Sequence, residues 1–287
     1  MAADCEVVLA ADKAEDAVAL AALAEQEVFR IERKYSRYRS DSVTSRINAA
    51  AGVEWVDCDD ETTALLDYAE VMFRQSEGAF DITSGVLRRV WDFALARVPT
   101  RGEIETVLPL IGWSRVERDG SRVRLPDTGM ELDFGGFGKE YAADQAIAAL
   151  RKRGVTSGYV NLAGDIAVLG PKPDGSAWLM GVQDPRRLED LLASVPIRAG
   201  GLATSGDYER FFEVDGRRYC HVLDAATGTS VDHWRSVSVL AGSALVAGSC
   251  TSIAMLKRAA GLDFLDATGF DYIAVDARGE LFQRGHA

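Results

Sequence analysis

The sequence predicts an α+β fold on three observations. Strand-like runs and helical repeats are mixed along the chain without the regular βαβ alternation of a doubly wound sheet. Two Asp-Gly pairs, Asp119-Gly120 and Asp215-Gly216, sit between alternating segments as hairpin signals. With 287 residues, 47% of them hydrophobic, the chain can bury a sizeable core. No long linker, low-complexity tract or fixed-period repeat interrupts it, so a single unit over residues 1–287, of closely joined parts, is expected.

The chain opens with a strand-like "CEVVLA", after which Ala17, Leu20, Ala21, Ala24, Val28 and Ile31 recur at helical spacing. Leu65, Leu66, Ala69, Met72 and Phe73 mark a second helix, ending near "SEGAF". From Trp113 to Leu125 the text alternates around the first Asp-Gly pair. The stretch "ELDFGGFGKEYAADQAIAAL" then joins an apolar run to a helical pattern, as a turn from strand to helix. Strands are expected at "GYVNLAGDIAVLG", "AWLMGV", "RFFEVDGRRYCHVL" and "RSVSVLA", the third holding the second Asp-Gly turn. Ala244 to Lys257 reads as a helix and "YIAVDARGELF" as a closing hairpin.

Charge and composition exclude several classes. A net charge of -12 argues against a large sequence-independent grip on nucleic acid or anionic membranes, both of which need excess Lys and Arg. No apolar run approaches the roughly 20 residues of a membrane span, and the N-terminus lacks a basic-then-apolar signal, so the chain as given reads as cytoplasmic. Cys5, Cys58, Cys220 and Cys250 are scattered without C-x-x-C spacing, which indicates neither a zinc site nor a disulfide framework. They are expected to be buried thiols.

The glycine-rich stretch invites a test against phosphate motifs. A Walker loop needs Gly five residues before its Gly-Lys pair and Ser or Thr after it; here those places hold Asp133 and Glu140. The dinucleotide pattern G-x-G-x-x-G fails as well, because Gly136 and Gly138 are followed by Tyr141. The physics of the stretch still allows two readings. Glycines and a helix N-terminus with Lys139 can receive an anion, or the segment is a tight turn with a solvated lysine.

Other polar stretches embedded in apolar surroundings are "YSRYRSDSVTSRIN", "GAFDITSG", "VNLAGDI" and "ATSGDYERFFEVDGRRYCHVLDAATG". With "LDFGGFGKEYAAD" and the helix after "SVSVLAGSALVAG", they form six ordered blocks. On these blocks the chain resembles the FAD:protein FMN transferases of the ApbE type. The resemblance implies an ApbE-like, T-fold-related α+β architecture in which two halves flank a central FAD cleft. It also implies an activity: with a divalent metal, usually Mg2+, FAD is split, FMN is joined by a phosphoester bond to a threonine of a target flavoprotein, and AMP is released.

Residue roles follow from the same resemblance. Met1, Tyr38, and Ala79 with Phe80 and Asp81 are expected to line the flavin or adenine part of FAD, where flat apolar walls suit a planar ring. Asp133, Lys139 and Leu223 fall on further FAD-contact positions. The backbone from Gly136 to Gly138 falls where a carbonyl meets the metal. His221 matches a histidine near the pyrophosphate, and an imidazole there can take the proton of a threonine hydroxyl or carry one to leaving AMP. Its other reading is a hairpin histidine satisfied by its surroundings. His233 and His286 match nothing.

One departure stands out. The family's metal site uses an Asp on the late helix with oxygen ligands three and four residues on, all on one helical face. Here those positions hold Gly248, Thr251 and Ser252. Neutral hydroxyls bind Mg2+ weakly unless FAD phosphates or another acid such as Asp165 compensate. The small residues also read as a helix face packed on a neighbour. Three functions stay open: the transferase, an FAD-binding protein that has lost transfer, and a metal-dependent FAD pyrophosphatase in which water replaces threonine. Under the transferase reading, Gly248→Asp should strengthen metal binding by supplying the missing anionic ligand.

Overall fold

The structure, a computed structural model, describes residues 5–285, so Met1 and His286 lie outside it. The first part of the chain runs β1 (Cys5–Leu9), α1 (Ala14–Tyr35), α2 (Val43–Ala49), β2 (Val56–Asp57) and α3 (Asp60–Gln75). A 3-10 segment at Ile82–Arg89, α4 (Arg101–Val107) and the hairpin β3 (Glu117–Asp119) and β4 (Arg122–Arg124) follow. A 3-10 turn at Phe134–Gly136 leads into α5 (Gly138–Lys152). Five strands come next: β5 (Gly158–Leu162), β6 (Asp165–Gly170), β7 (Trp178–Gln183), β8 (Leu191–Ile197) and β9 (Gly200–Gly206). The last part is β10 (Phe211–Val214), β11 (Arg217–Cys220), β12 (Trp234–Ala241), α6 (Ala244–Lys257), α7 (Gly261–Thr268), β13 (Asp271–Asp276) and β14 (Leu281–Arg284).

Seven strands form an antiparallel sheet in the order β1-β5-β6-β9-β12-β13-β14, the α+β arrangement expected. The apolar stripe of α1, Ala24, Val28, Ile31 and Tyr35, packs with α5 on one side of the sheet. The β7–β8 hairpin covers the other side, where Val182, Val195 and Ile197 meet Ile166, Val168 and Leu202. Sandwiched between these layers, β6 is buried at every position. No helix among the described residues is long and apolar enough to cross a membrane.

The structure differs from the sequence reading in several places. No strand precedes the glycine stretch; residues 131–133 are extended coil, and Phe134 and Phe137 plug the turn into the core edge to face, with centroids 5.8 Å apart. Both rings are at most 1% exposed, each contributing about 2 to 3 kcal/mol of apolar burial. The "GYVNLAGDIAVLG" run is two strands, because Ala163 (φ 55°) and Gly164 (φ 92°) make a two-residue turn between them. Helix α2 forms inside "YSRYRSDSVTSRIN", capped by Ser42, whose Oγ accepts from the Ser45 amide at 3.0 Å. Cys58, Cys220 and Cys250 are buried thiols, whereas Cys5 is exposed, since it starts β1 where the strand's burial is slight.

Candidate functional site

The site is a cleft of about 230 Å³ where the Gly-rich turn, the first turn of α5, the start of β6, the end of β9 and the segment after β11 meet. Two open grooves of about 270 and 370 Å³ continue it, sharing Arg88 with the cleft. Ala79, Phe80, Asp81, Asp133, Gly136 and Lys139 all line the cleft. So do His221, Leu223 and Ser252, although up to 173 residues of chain separate Ala79 from Ser252. Tyr38 stands at the lip of both grooves, 76% exposed, with its hydroxyl accepting from Arg88 Nη1 at 3.4 Å.

Each wall is held by its own local bonding. Asp81 spends its carboxylate on the protein: Oδ1 accepts from the Thr83 amide (2.7 Å) and Thr83 Oγ1 (2.6 Å), and Oδ2 accepts from the Trp113 amide (2.9 Å). It thereby caps the 3-10 segment that carries Arg88. Asp133 accepts from the Gly135 amide at 2.8 Å and from Arg37 Nη1 at 3.1 Å, with Arg88 Nε at 3.4 Å. Arg37 also reaches Glu131 at 2.9 Å, so the glycine turn is clamped from the α1 side.

Lys139 and Asp165 form an ion pair at 2.7 Å, with the carboxylate 4% exposed. Burial lowers Lys139, but the charges of Asp165 and Glu140 outweigh it and hold the ammonium above its ordinary range. Glu140, next in sequence, is 7% exposed and lines the cleft beside Asp165, within hydrogen-bonding reach of it. Burial, and then the charge of Asp165, push the Glu140 carboxyl well above the usual carboxylate range, with Lys139 opposing. Asp165 is raised by burial too, again against Lys139.

His221 sits just past β11, its amide donating to the Arg210 carbonyl at 3.0 Å. Its Nδ1 is buried without a hydrogen-bond partner, so the ring is not a satisfied hairpin histidine. Burial first, and then the charge of Arg88, lower its pKa to about 4, which keeps the imidazole neutral at ordinary pH.

The remaining expected positions fall elsewhere. Gly138 opens α5 and lines the neighbouring groove, not the cleft that Gly136 lines. Thr251 is fully buried, and its hydroxyl is already engaged with the Gly248 carbonyl and Ser205 Oγ, both at 2.8 Å. Ser252 is the member of that helix face that reaches the cleft. The expectation for Gly248→Asp meets a steric obstacle: a Cβ on Gly248 would lie 2.6 Å from Glu140 Cγ, so an added side chain requires the Glu140 side chain to shift.

Sequence reasoning missed Arg88, Arg210 and Glu140. Arg88 lies outside the six blocks, and Arg210 lies within one of them but has no role implied there; the fold brings the two together. Glu140 had a signal: it falls on the buried stripe of α5 with Ala143, Ile147 and Leu150, where a carboxylate is out of place unless it is used.

Among the described residues no group of three or more His, Cys, Asp and Glu side chains is gathered as a metal cluster. Yet Glu140 Oε2 is buried without a hydrogen-bond partner beside a second carboxylate. One or two carboxylates plus substrate phosphates is the donor set Mg2+ ordinarily takes, so the residues present fit such an ion.

Comparison with known proteins agrees with this architecture. The chain is 34% identical over 276 residues to the FAD:protein FMN transferase of Treponema pallidum, covering 84% of this chain and 75% of that one. It is 28% identical over 261 residues to the protein of the same name from Salmonella typhimurium, covering 86% and 74%. The ApbE protein of Thermotoga maritima superposes with a TM-score of 0.89 at 32% identity, over 97% of this chain and 93% of that one. The apo flavinyl transferase ApbE of Pseudomonas stutzeri gives 0.82 at 30% identity, over 98% and 89%. The ApbE family profile matches residues 1–274, and the chain therefore belongs to the ApbE family.

Proposed function

We propose that this chain is an FAD:protein FMN transferase. It splits the pyrophosphate of FAD, joins the FMN phosphorus to the hydroxyl of a threonine on a partner flavoprotein, and releases AMP. The observation that carries the reading is the convergence of Phe80, Asp133, Lys139, His221 and Leu223 on one cleft that two grooves adjoin and enlarge. A dinucleotide needs such a shape, with apolar walls for its rings and cationic groups for its phosphates. Arg88, Arg210 and Lys139 supply local positive charge on a chain whose net charge is -12.

Within that site each residue has a task. Phe80 and Leu223 pack against FAD, Tyr38 closes the outer lip, and Asp133 holds the glycine turn in the shape that exposes Gly136. Lys139 and Arg88 bind the pyrophosphate oxygens. His221, neutral and with an unpartnered ring nitrogen, takes the proton from the acceptor threonine as its oxygen bonds to the FMN phosphorus. The bond from that phosphorus to the AMP oxygen breaks, and AMP leaves with the electron pair. A divalent cation, when bound on the acidic wall that includes Gly136 and Ser252, supplies charge neutralisation for the phosphates.

The test is incubation of the purified chain with FAD and a peptide bearing an acceptor threonine, with and without Mg2+. The proposal expects AMP and a peptide heavier by one FMN only when the metal is present. AMP without labelled peptide, across several acceptor sequences, would instead mark an FAD pyrophosphatase; bound FAD without AMP would mark a binding protein.

A further inference from the structure

Glu140 and Gly248 meet across the contact between α5 and α6. A Cβ on Gly248 would lie 2.6 Å from both Cγ and Oε1 of Glu140 and 2.8 Å from its Cδ. The glutamate therefore occupies the space just off the α6 backbone in which a side chain at 248 would begin. Real Cβ atoms do not come this close, so a side chain at 248 and the Glu140 side chain in its present conformation exclude each other.

The carboxylate placed there is not bonded as a structural group would be. Glu140 is 7% exposed, lines the cleft, and leaves Oε2 buried without a donor. The neighbouring hydroxyls on α6 do not serve it: Ser249 bonds Tyr68 at 2.8 Å, and Thr251 bonds Ser205 and the Gly248 carbonyl. Its neighbour Asp165, 3% exposed, already shares the nearby Lys139. With the Lys139 ammonium committed to Asp165, an ionised Glu140 has no cation of its own in the cleft. A hard divalent cation bound by oxygens satisfies it.

We propose that Glu140, reaching across from α5, is the carboxylate ligand of the divalent cation in this chain, standing in for the side chain that Gly248 lacks on α6. Gly248 is the space that admits the Glu140 side chain. Asp165 and Ser252 line the same cleft and would offer further oxygens beside the substrate phosphates. The assignment builds on the transferase reading above.

The experiment measures Mn2+ binding to the full chain by the loss of the free-ion EPR signal, with and without FAD, alongside melting curves. Wild type is compared with Glu140→Gln, Gly248→Asp and the double exchange Glu140→Gly with Gly248→Asp. Glu140→Gln should weaken Mn2+ binding on the order of 100-fold, at or above the loss typical for groups that only support a ligand. Because it removes a buried acid without changing shape, it should melt no lower than wild type. Gly248→Asp alone should melt lower, from the collision with Glu140. The double exchange should return Mn2+ affinity to within about tenfold of wild type, less than the loss in Glu140→Gln.

Unchanged Mn2+ affinity in Glu140→Gln overturns the proposal, as does a wild type that binds FAD but takes no Mn2+. A double variant that melts normally yet binds as weakly as Glu140→Gln overturns the exchange of positions. Flavin fluorescence quenching without metal reads FAD binding separately. Normal Mn2+ behaviour with no FAD binding would overturn the transferase reading while the assignment of Glu140 stood.

Discussion

Lys139 Nζ lies 2.7 Å from Asp165 Oδ2, tying the first turn of α5 to the first residue of β6 at the floor of the cleft. Lys139→Met keeps the length of the side chain but leaves Asp165 buried and unpaired beside Glu140. The expected result is a loss of about 3 kcal/mol of stability in urea denaturation, the usual consequence of stripping one partner from a buried pair. FAD affinity in a fluorescence titration should fall with it, because the same ammonium serves the phosphates. A variant as stable as wild type would show that water reaches Asp165 freely.

His221 carries a pH signature. Its pKa is about 4 in the fold against an ordinary 6.5, with burial as the main cause. The unfolded chain therefore takes up the proton first as pH falls, so stability is full above about pH 6.5 and declines between 6.5 and 4. Glu61 acts in a different window. Hydrogen bonds from Arg30, against the pull of burial, lower it to about 2 from 4.5, so its contribution is present above pH 4.5 and disappears as pH falls through 2. Relative to His221→Asn, in which residue 221 does not titrate, the wild-type denaturant midpoint should fall between pH 6.5 and pH 4, while the raised Glu140 and Asp165 act in the opposite sense in both proteins and cancel in the comparison.

The same histidine should separate binding from chemistry. His221→Ala is expected to cut the rate of AMP release by about 100-fold or more, the range of a lost general base, with FAD affinity nearly kept. A rate within threefold of wild type would point to another proton acceptor.

Gly248→Ala tests the helix contact without any charge. In the wild-type background the new methyl collides with the Glu140 side chain, and the melting temperature should drop. In a Glu140→Gly background the collision is gone, and the same substitution should stabilise α6 by up to about 1 kcal/mol through helix propensity. A sign that does not change between backgrounds would place Glu140 elsewhere.

Asp81 lines the cleft yet acts through the backbone it caps. Asp81→Ala leaves the amides of Thr83 and Trp113 unserved and should destabilise the chain by about 2 to 3 kcal/mol, as lost hydrogen bonds to a charged acceptor do. Thermal denaturation measures this directly.

Much of the fold was legible because periodicity reports packing. Helix α6 runs from Ala244 to Lys257 as its apolar spacing indicates, and two hairpins form at their Asp-Gly turns. Strand β9 was not legible: "GGLATSG" has the glycines that strands usually lack. The structure gives the reason at Gly201, where a Cβ would meet the Ala244 amide nitrogen at 2.1 Å, so the strand needs glycine to let α6 start against it. The site shows the same division. Lys139 and His221 could be placed from local motifs, whereas the meeting of Glu140 with Gly248 depends on two helices whose contact no local pattern encodes.

The most direct test of the account is the intact mass of an acceptor flavoprotein domain after incubation with FAD, Mg2+ and the purified chain, with AMP measured in the same tube. The expected result is one FMN added at a threonine for each AMP released, and no addition with the His221→Ala chain over the same time. AMP appearing while the acceptor mass stays unchanged, or FMN added equally well without His221, would contradict it.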